Sequence, residues 1–428
     1  MLQTLRNAWR IEEIRKKILF TLLIVLLYRI GNAIPVPFVD TAKLQAYFAY
    51  LQNTALGLLD AMSGGSFSNA TIFALSIQPY INASIIIQLL CIAIPALERM
   101  SKEEGEEGRK KIASITRYST VAIGLLQGFG YYMLMKNNGI IVASAAKSVW
   151  AAIIIILTFT SGSALIMWLG EQITEFGIGN GISIILFASI ISRFPNSVIT
   201  TIQNVANGSL AWWAAVLVFL GALALIVLIV FVNDAERRIP VQYAKRVVGR
   251  KMYGGQSTHL PMKVNMSGVM PIIFASSISS VPATIAAFTG KTDGWVSTWF
   301  GTNSIPYAIA YLLLIIFFAY FYSTIQFNPV EVANNLKKNG GYIPGFRPGK
   351  PTSEFIQRVL NKITLFGAIY LGIIAVTPIL VSHFSNASAL TGLSLGGTSI
   401  IIVVGVALET VRAIEAQMLM RNYKGFLS

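Results

Sequence analysis

The chain has 428 residues, of which 54% are hydrophobic and only 12% charged, and 33 Lys and Arg against 18 Asp and Glu give a net charge of +15. Soluble domains carry roughly twice that share of charge, so the composition excludes a soluble multidomain enzyme and places the chain in a bilayer. A single cysteine, Cys91, excludes an intrachain disulfide, and two histidines, His259 and His383, with no HExxH spacing argue against a metal site.

An apolar run of about 17 to 25 residues can cross about 30 Å of hydrocarbon as a helix. Ten such stretches follow in chain order: 18–34, 76–97, 115–135, 149–169, 178–197, 212–232, 268–288, 306–325, 363–383 and 398–418. The first comes after "MLQTLRNAWRIEEIRKK", which has the basic start of a signal peptide. Its apolar run continues to Ile34 without a small-residue cleavage site, so it reads as a retained span. The segment "SGGSFSNATIFALSIQPYINASIIIQLLCIAIP", residues 63–95, begins small, polar and glycine-rich. That half is either a solvent loop or backbone folded back into the membrane. "GIGNGI" at 177–182 lacks GxGxxG spacing, follows no strand and reads as a flexible helix start; Arg193 and Pro195 interrupt the end of the same stretch.

Two inter-span loops, 233–267 and 326–362, are long, basic and punctuated by Gly and Pro, which suits a docking surface. Gly290-Lys291-Thr292 resembles the end of a phosphate-binding loop, but Ile285 stands where its first glycine belongs, so no nucleotide site is expected. On the last stretch Glu409 and Arg412 are spaced to form an i,i+3 pair.

Runs this long and non-alternating cannot be barrel strands, because unpaired backbone in lipid forces either helices or closed barrels. The expected class is therefore an all-α polytopic membrane protein with ten transmembrane helices. Of the 33 Lys and Arg, 25 fall on the alternate set of segments that includes both ends of the chain, which places both termini in the cytoplasm. Ten helices with both ends inside divide into halves of opposite orientation, 1–200 and 201–428, an arrangement that permits an inverted repeat. Topology alone would also suit a secondary transporter, but the central thirds of the stretches carry almost no ionisable group to serve one. A membrane-embedded hydrolase would need a facing nucleophile and base, and membrane-depth histidine and acid are scarce.

The residues themselves then suggest a family. "GNAIPVPFVD", "SGGSFSNATIFALSIQPYINASIIIQLL", "MWLGEQITEFGIGNGISIILFASI", "QSTHLPMKVNMSGVMPIIFASSI", "FNPVEVANNLKKNGGYIPGFRPG" and "GGTSIIIVVGVALE" occur in this order, and together they resemble the SecY family, the central channel subunits of the bacterial Sec protein translocase. The resemblance runs nearly end to end. It implies two inverted five-helix halves closing as a clamshell, and a short plug helix at about 57–72 that includes Ser63, Gly64, Gly65, Ser66 and Phe67. It implies an apolar pore ring at Ile77, Ile81, Leu186, Ile273 and Ile402, which could exclude water by dewetting yet let a polypeptide pass. A lateral gate falls between the second and seventh stretches, with Gln78, Asn82 and Gln88 facing Ser276 and Ser277.

By the same resemblance the chain is no enzyme and needs no cofactor. It would carry signal-sequence-bearing preproteins across the cytoplasmic membrane, or release membrane segments sideways to membrane lipids. Its partners would be SecE and SecG, with the SecA ATPase or the ribosome docked on the two basic loops. Arg250, Lys251 and Arg347 are the implied contacts.

Overall fold

A computed structural model describes residues 2–50, 56–57, 60, 63–102, 105–145, 147–208, 211–243, 246–248, 251–253, 257–289, 299, 304–384 and 397–424. Among these, each of the ten apolar stretches falls on a helix. Short helices α1 (Leu2–Arg10) and α3 (Thr41–Tyr50) flank α2 (Glu12–Gly31); α4 (Gln78–Ala93) and short α5 (Pro95–Lys102) carry the second stretch. The third to sixth stretches lie on α6 (Gly105–Asn137), α7 (Val149–Phe176), α8 (Gly181–Ala206) and α9 (Trp212–Asp234). The remainder lie on α10 (Met270–Thr289), α11 (Ile305–Gln326), α13 (Lys350–Phe384) and α14 (Gly397–Lys424), with short α12 (Pro329–Lys338) in the last long loop. α9 is apolar all round and buries only Ile229 and Val232, leaving Trp212, Val227 and Phe231 outward, the pattern of a helix whose solvent is hydrocarbon.

Helix starts follow local chemistry. Asn180 caps α8 by accepting from the amides of Ile182 and Ser183, and Asn328 caps α12 ahead of Pro329 by accepting from Val330 and Glu331. The "GIGNGI" segment departs from its reading as a flexible start. Gly179 has φ +72°, and a Cβ on Gly181 would stand 1.9 Å from the carbonyl oxygen of Gly170. These glycines are there because α7 and α8 meet backbone to backbone at a tight turn, which fixes the start of α8 instead of loosening it.

Outside the all-α membrane body, the long loops carry a small sheet. The loop at 233–267 carries strands β1 (Glu236–Tyr243), β2 (Arg246–Val248), β3 (Lys251–Tyr253) and β4 (Ser257–Lys263), and the loop at 326–362 carries β5 (Gly341–Tyr342). β1 pairs antiparallel with β4, from Glu236 opposite Lys263 to Gln242 opposite Ser257, and on its other edge with β5 through Gln242–Tyr342 and Tyr243–Gly341. In β1 only Ile239 and Val241 are buried, the alternation of a sheet with one covered face. They pack with Met262, Ile343, Ile356 and Leu360 into a small core, so the two basic loops form one body seated on the start of α13. Basic and proline residues between the apolar side chains obscure this alternation in the sequence.

The largest core joins residues from α2, α4, α7, α8, α9, α10, α11, α13 and α14. A second core gathers α3, α6, α7 and the segment at 63–75 around Phe48, Phe67, Tyr131 and Phe159. The expected Glu409–Arg412 bridge is replaced by a longer-range tie. Arg412 Nη2 lies 2.5 Å from Asp234 Oδ1 and donates to the Asn233 carbonyl at 3.0 Å, fastening α14 to the end of α9. The terminal carbonyls of α9 need a donor, and the long guanidinium reaches them.

Gly181→Ala should destabilise the protein by ~1–3 kcal/mol through overpacking against Gly170. A lowered thermal unfolding midpoint in detergent is the expected result, and an unchanged midpoint would rule out the close approach.

A candidate pore with its seam and plug

The segment at 63–77 is neither a solvent loop nor a membrane helix. Among the described residues, 56, 57 and 60 are helical, the rest of the implied plug helix before 63 lies outside them, and 63–77 runs as turns interrupted by a β-bridge from Thr71 to Pro35. The chain there is deeply buried: Ser63, Ser66, Phe67, Ala70, Thr71, Phe73, Ala74 and Ser76 are each 3% exposed or less. Buried backbone must find partners, and it finds them in the "GNAIPVPFVD" stretch. The Val36 amide donates to the Ala70 carbonyl at 2.9 Å, and the Ile72 amide to the Ile34 carbonyl at 3.0 Å. The Tyr131 hydroxyl of α6 donates to the Phe67 carbonyl, and the two rings stack with centroids 4.2 Å apart.

Glycine is required at 64. Its φ is +72°, and an added Cβ would come within 2.8 Å of the Ser189 carbonyl on α8. Ala70 and Ser76, which have side chains, also take positive φ, 44° and 50°. Each such residue costs of order 1–3 kcal/mol and is held by what surrounds it.

Immediately after this segment stand the five aliphatic positions. Ile77 is the N-cap residue of α4 and Ile81 lies one turn in; Leu186 is in the first half of α8; Ile273 and Ile402 lie near the starts of α10 and α14. All five are 3% exposed or less, and all five belong to the same contiguous core. Two cavities touch different faces of α4. One, of about 410 Å³, has Ile81, Leu186 and Ile273 in its wall, along with the polar groups Gln88, Arg117, Glu171 and Asn180. The other, of about 330 Å³, is mainly apolar and lies among α4, α6 and α10, with Ser63 and Phe67 of the turn segment at its edge.

Across the seam between α4 and α10, Ser277 donates to Gln78 Oε1 at 3.4 Å, a long bond between two buried side chains. The other named seam residues do not mirror it. Ser276 donates to the Ile273 carbonyl of its own helix at 2.9 Å, and Gln88 donates to Ser84 one turn away at 3.1 Å. Asn82 lines the apolar cavity. A serine in a helix can always return its proton to a carbonyl three or four residues back, so a count of polar residues overstates the cross-helix bonding. Of the loop cations, Arg347 is exposed, and its carbonyl accepts from Thr352 Oγ1 at 2.8 Å. Lys251 begins β3, and Arg250 lies outside the described residues.

Two ion pairs were not anticipated from the sequence. Arg117 Nε meets Glu171 Oε1 at 2.9 Å, tying α6 to α7 beside the polar cavity. Arg193 Nη2 meets Asp60 Oδ2 at 2.7 Å. The signal was available: an arginine inside an apolar stretch calls for an acid, and Asp40 and Asp60 are the two acids between the first and second stretches. Among the described residues no cluster of three or more His, Cys, Asp or Glu could hold a metal ion.

Comparison with known proteins bears on this arrangement. A family model described as SecY matches residues 71–411. A protein translocase subunit SecY of Streptomyces coelicolor is 45% identical over 443 residues, and one of Mycobacterium tuberculosis 43% identical over 446 residues, each alignment covering 100% of both chains. Among solved structures, one described as "The structure of a protein conducting channel" has a TM-score of 0.68 at 17% identity, covering 95% of this chain and 93% of its own. Another, "Sec61 in the Canine ribosome-channel complex from the endoplasmic reticulum", has a TM-score of 0.64 at 16% identity, with 95% and 93% covered. These two likenesses concern the fold, whereas the full-length relatives and the family model concern descent. The chain belongs to the SecY family.

Proposed function

We propose that this chain is the protein-conducting channel of a Sec translocase, which passes unfolded secretory proteins across the cytoplasmic membrane and releases apolar segments sideways into lipid. SecY-family chains are translocase subunits and not enzymes. The observation that carries the reading is the shared burial of Ile77, Ile81, Leu186, Ile273 and Ile402. Three of these come from the half 1–200 and two from 201–428, so the two halves meet through branched aliphatic side chains. Such a collar has no hydrogen bonds to break when a chain pushes through, and it excludes water and ions when closed. The buried turn segment with Ser63, Gly64, Gly65, Ser66 and Phe67 acts as the plug.

The seam between α4 and α10 serves as the lateral gate. Polar bonds between membrane helices contribute about 0.6 kcal/mol on average, and the one 3.4 Å bond between Ser277 and Gln78 is an easily parted example. An entering apolar segment offsets that cost by filling the adjoining apolar cavity.

No nucleotide-binding motif stands in the sequence, so the driving force comes from a partner. We assign that contact to the joined basic loops, which would face the cytoplasm along with both termini, and to Arg250, Lys251 and Arg347 on them. A guanidinium suits carboxylates and phosphates alike, so the SecA motor and a translating ribosome are both chemically acceptable. One solved neighbour is a Sec61 channel described in complex with a ribosome. SecE and SecG complete the assembly.

In reconstituted vesicles, Ile81→Gly with Ile402→Gly should raise resting ion conductance at least several-fold, since the gap admits water that the aliphatic collar excludes. Unchanged conductance would remove these residues from the ring. Arg347→Glu should lower motor-driven translocation roughly tenfold, the scale of one charge-assisted hydrogen bond, while the thermal midpoint stays put. Normal export by that variant would remove Arg347 from the docking surface. A stalled secretory chain should crosslink to cysteines placed along residues 76–88, and their absence from the products would place the route elsewhere.

A further inference from the structure

We propose that Asp60 and Arg193 form an ionic latch that holds the buried turn segment against α8 and thereby keeps the channel closed. The inference rests on the reading of that segment as a plug and adds the positioning residues that fasten it. Asp60 is almost wholly enclosed, its side chain 7% exposed, whereas Arg193 is 39% exposed. A buried carboxylate is tolerable only when it is paired and hydrogen-bonded, and both oxygens of Asp60 are used. Oδ2 takes the guanidinium Nη2 at 2.7 Å, and Oδ1 accepts the Ser68 amide at 2.7 Å.

The same residue organises the turn through its backbone. Its carbonyl accepts from the Gly65 amide at 3.0 Å and from Ser63 Oγ at 3.0 Å. Arg193 therefore grips a residue that is bonded to the start, the glycine pair and the middle of the plug. Gly64 lies against the Ser189 carbonyl, one turn before Arg193 on α8, and Tyr28 of α2 meets the Ser189 hydroxyl at 2.7 Å.

Position along α8 gives the latch its meaning. Leu186, Ser189 and Arg193 are spaced i, i+3 and i+7, so they share one face of the helix. The face that supplies a ring residue also holds the plug, and a rotation of α8 that withdraws Leu186 would carry Arg193 away from Asp60. Partial exposure of Arg193 matters as well. Its desolvation is incomplete, and both ions could rehydrate once the plug moves into a watery pore, so the contact is strong enough to bias closure and weak enough to open.

The test uses the channel complex purified through this chain and reconstituted into liposomes, with resting ion leak as the readout. Asp60→Asn, and separately Arg193→Gln, should raise the leak roughly tenfold, and the double exchange Asp60→Arg with Arg193→Asp should return it most of the way to the parent value. Deletion of residues 61–69 serves as the reference for an absent plug. Singles as tight as the parent beside a leaky deletion would overturn the latch alone, whereas a tight deletion would overturn the plug reading beneath it. A double exchange as leaky as the singles would also overturn the latch, because a merely structural role for either side chain predicts no rescue by reversed charges. Thermal midpoints of all variants, expected within a few degrees of the parent, separate leak from misfolding.

Discussion

The structure depends on one constraint: backbone that is not helical cannot sit at membrane depth unless the protein itself supplies its hydrogen-bond partners. The run of turns at 63–77 meets it in a specific way. Carbonyls and amides at 70 and 72 are answered by residues 34 and 36, the carbonyl at 67 by Tyr131, and the bend at 63–68 by Asp60. The "GNAIPVPFVD" stretch is thus the other half of a backbone pairing. With those partners in place α4 starts at Gln78, and it ends at Ala93 where Ile94 turns extended ahead of Pro95.

The turn segment at 63–77 lies against α8 through Gly64 and runs directly into α4. Residues 1–200 and 201–428 share the large core in which Ile77, Ile81, Leu186, Ile273 and Ile402 lie. Side-chain bonds between residues 1–200 and 201–428 include Lys17 to Gln417 at 3.5 Å and Ser277 to Gln78 at 3.4 Å, both long, while the ion pairs Arg117–Glu171 and Arg412–Asp234 each lie within one of these segments. This distribution suits the proposed channel, whose two halves would part without either one unfolding.

Much of this was legible in the sequence. Each of the ten apolar stretches lies on helix in the described residues, the second on two, because hydrophobicity over twenty residues leaves few alternatives. The positions proposed for a ring were reachable only through family resemblance, since an isoleucine in a membrane helix is most often a packing residue and nothing local marks Ile81 apart from Ile85. Other features were hidden for physical reasons. Gly181 reads as looseness in a string of letters, and only the position of Gly170 reveals close packing. Glu409 and Arg412 satisfy helical spacing, yet a guanidinium follows the better acceptor, and that acceptor is 178 residues away in sequence. The sheet in the loops escaped notice because its strands are short and its pairing joins segments from separate loops.

That sheet carries a mechanical implication. Tyr342 and Gly341 hydrogen-bond to the end of β1, Tyr342 reaches Gln242 Oε1 at 2.9 Å, and the core beneath them includes Ile356 and Leu360 of α13. A load placed on either loop is therefore borne by both and passed down a continuous 35-residue rod into the bilayer. Whatever presses on this platform gains leverage over the C-terminal half as a unit, and insertions that shift the register of one loop would have to be matched in the other.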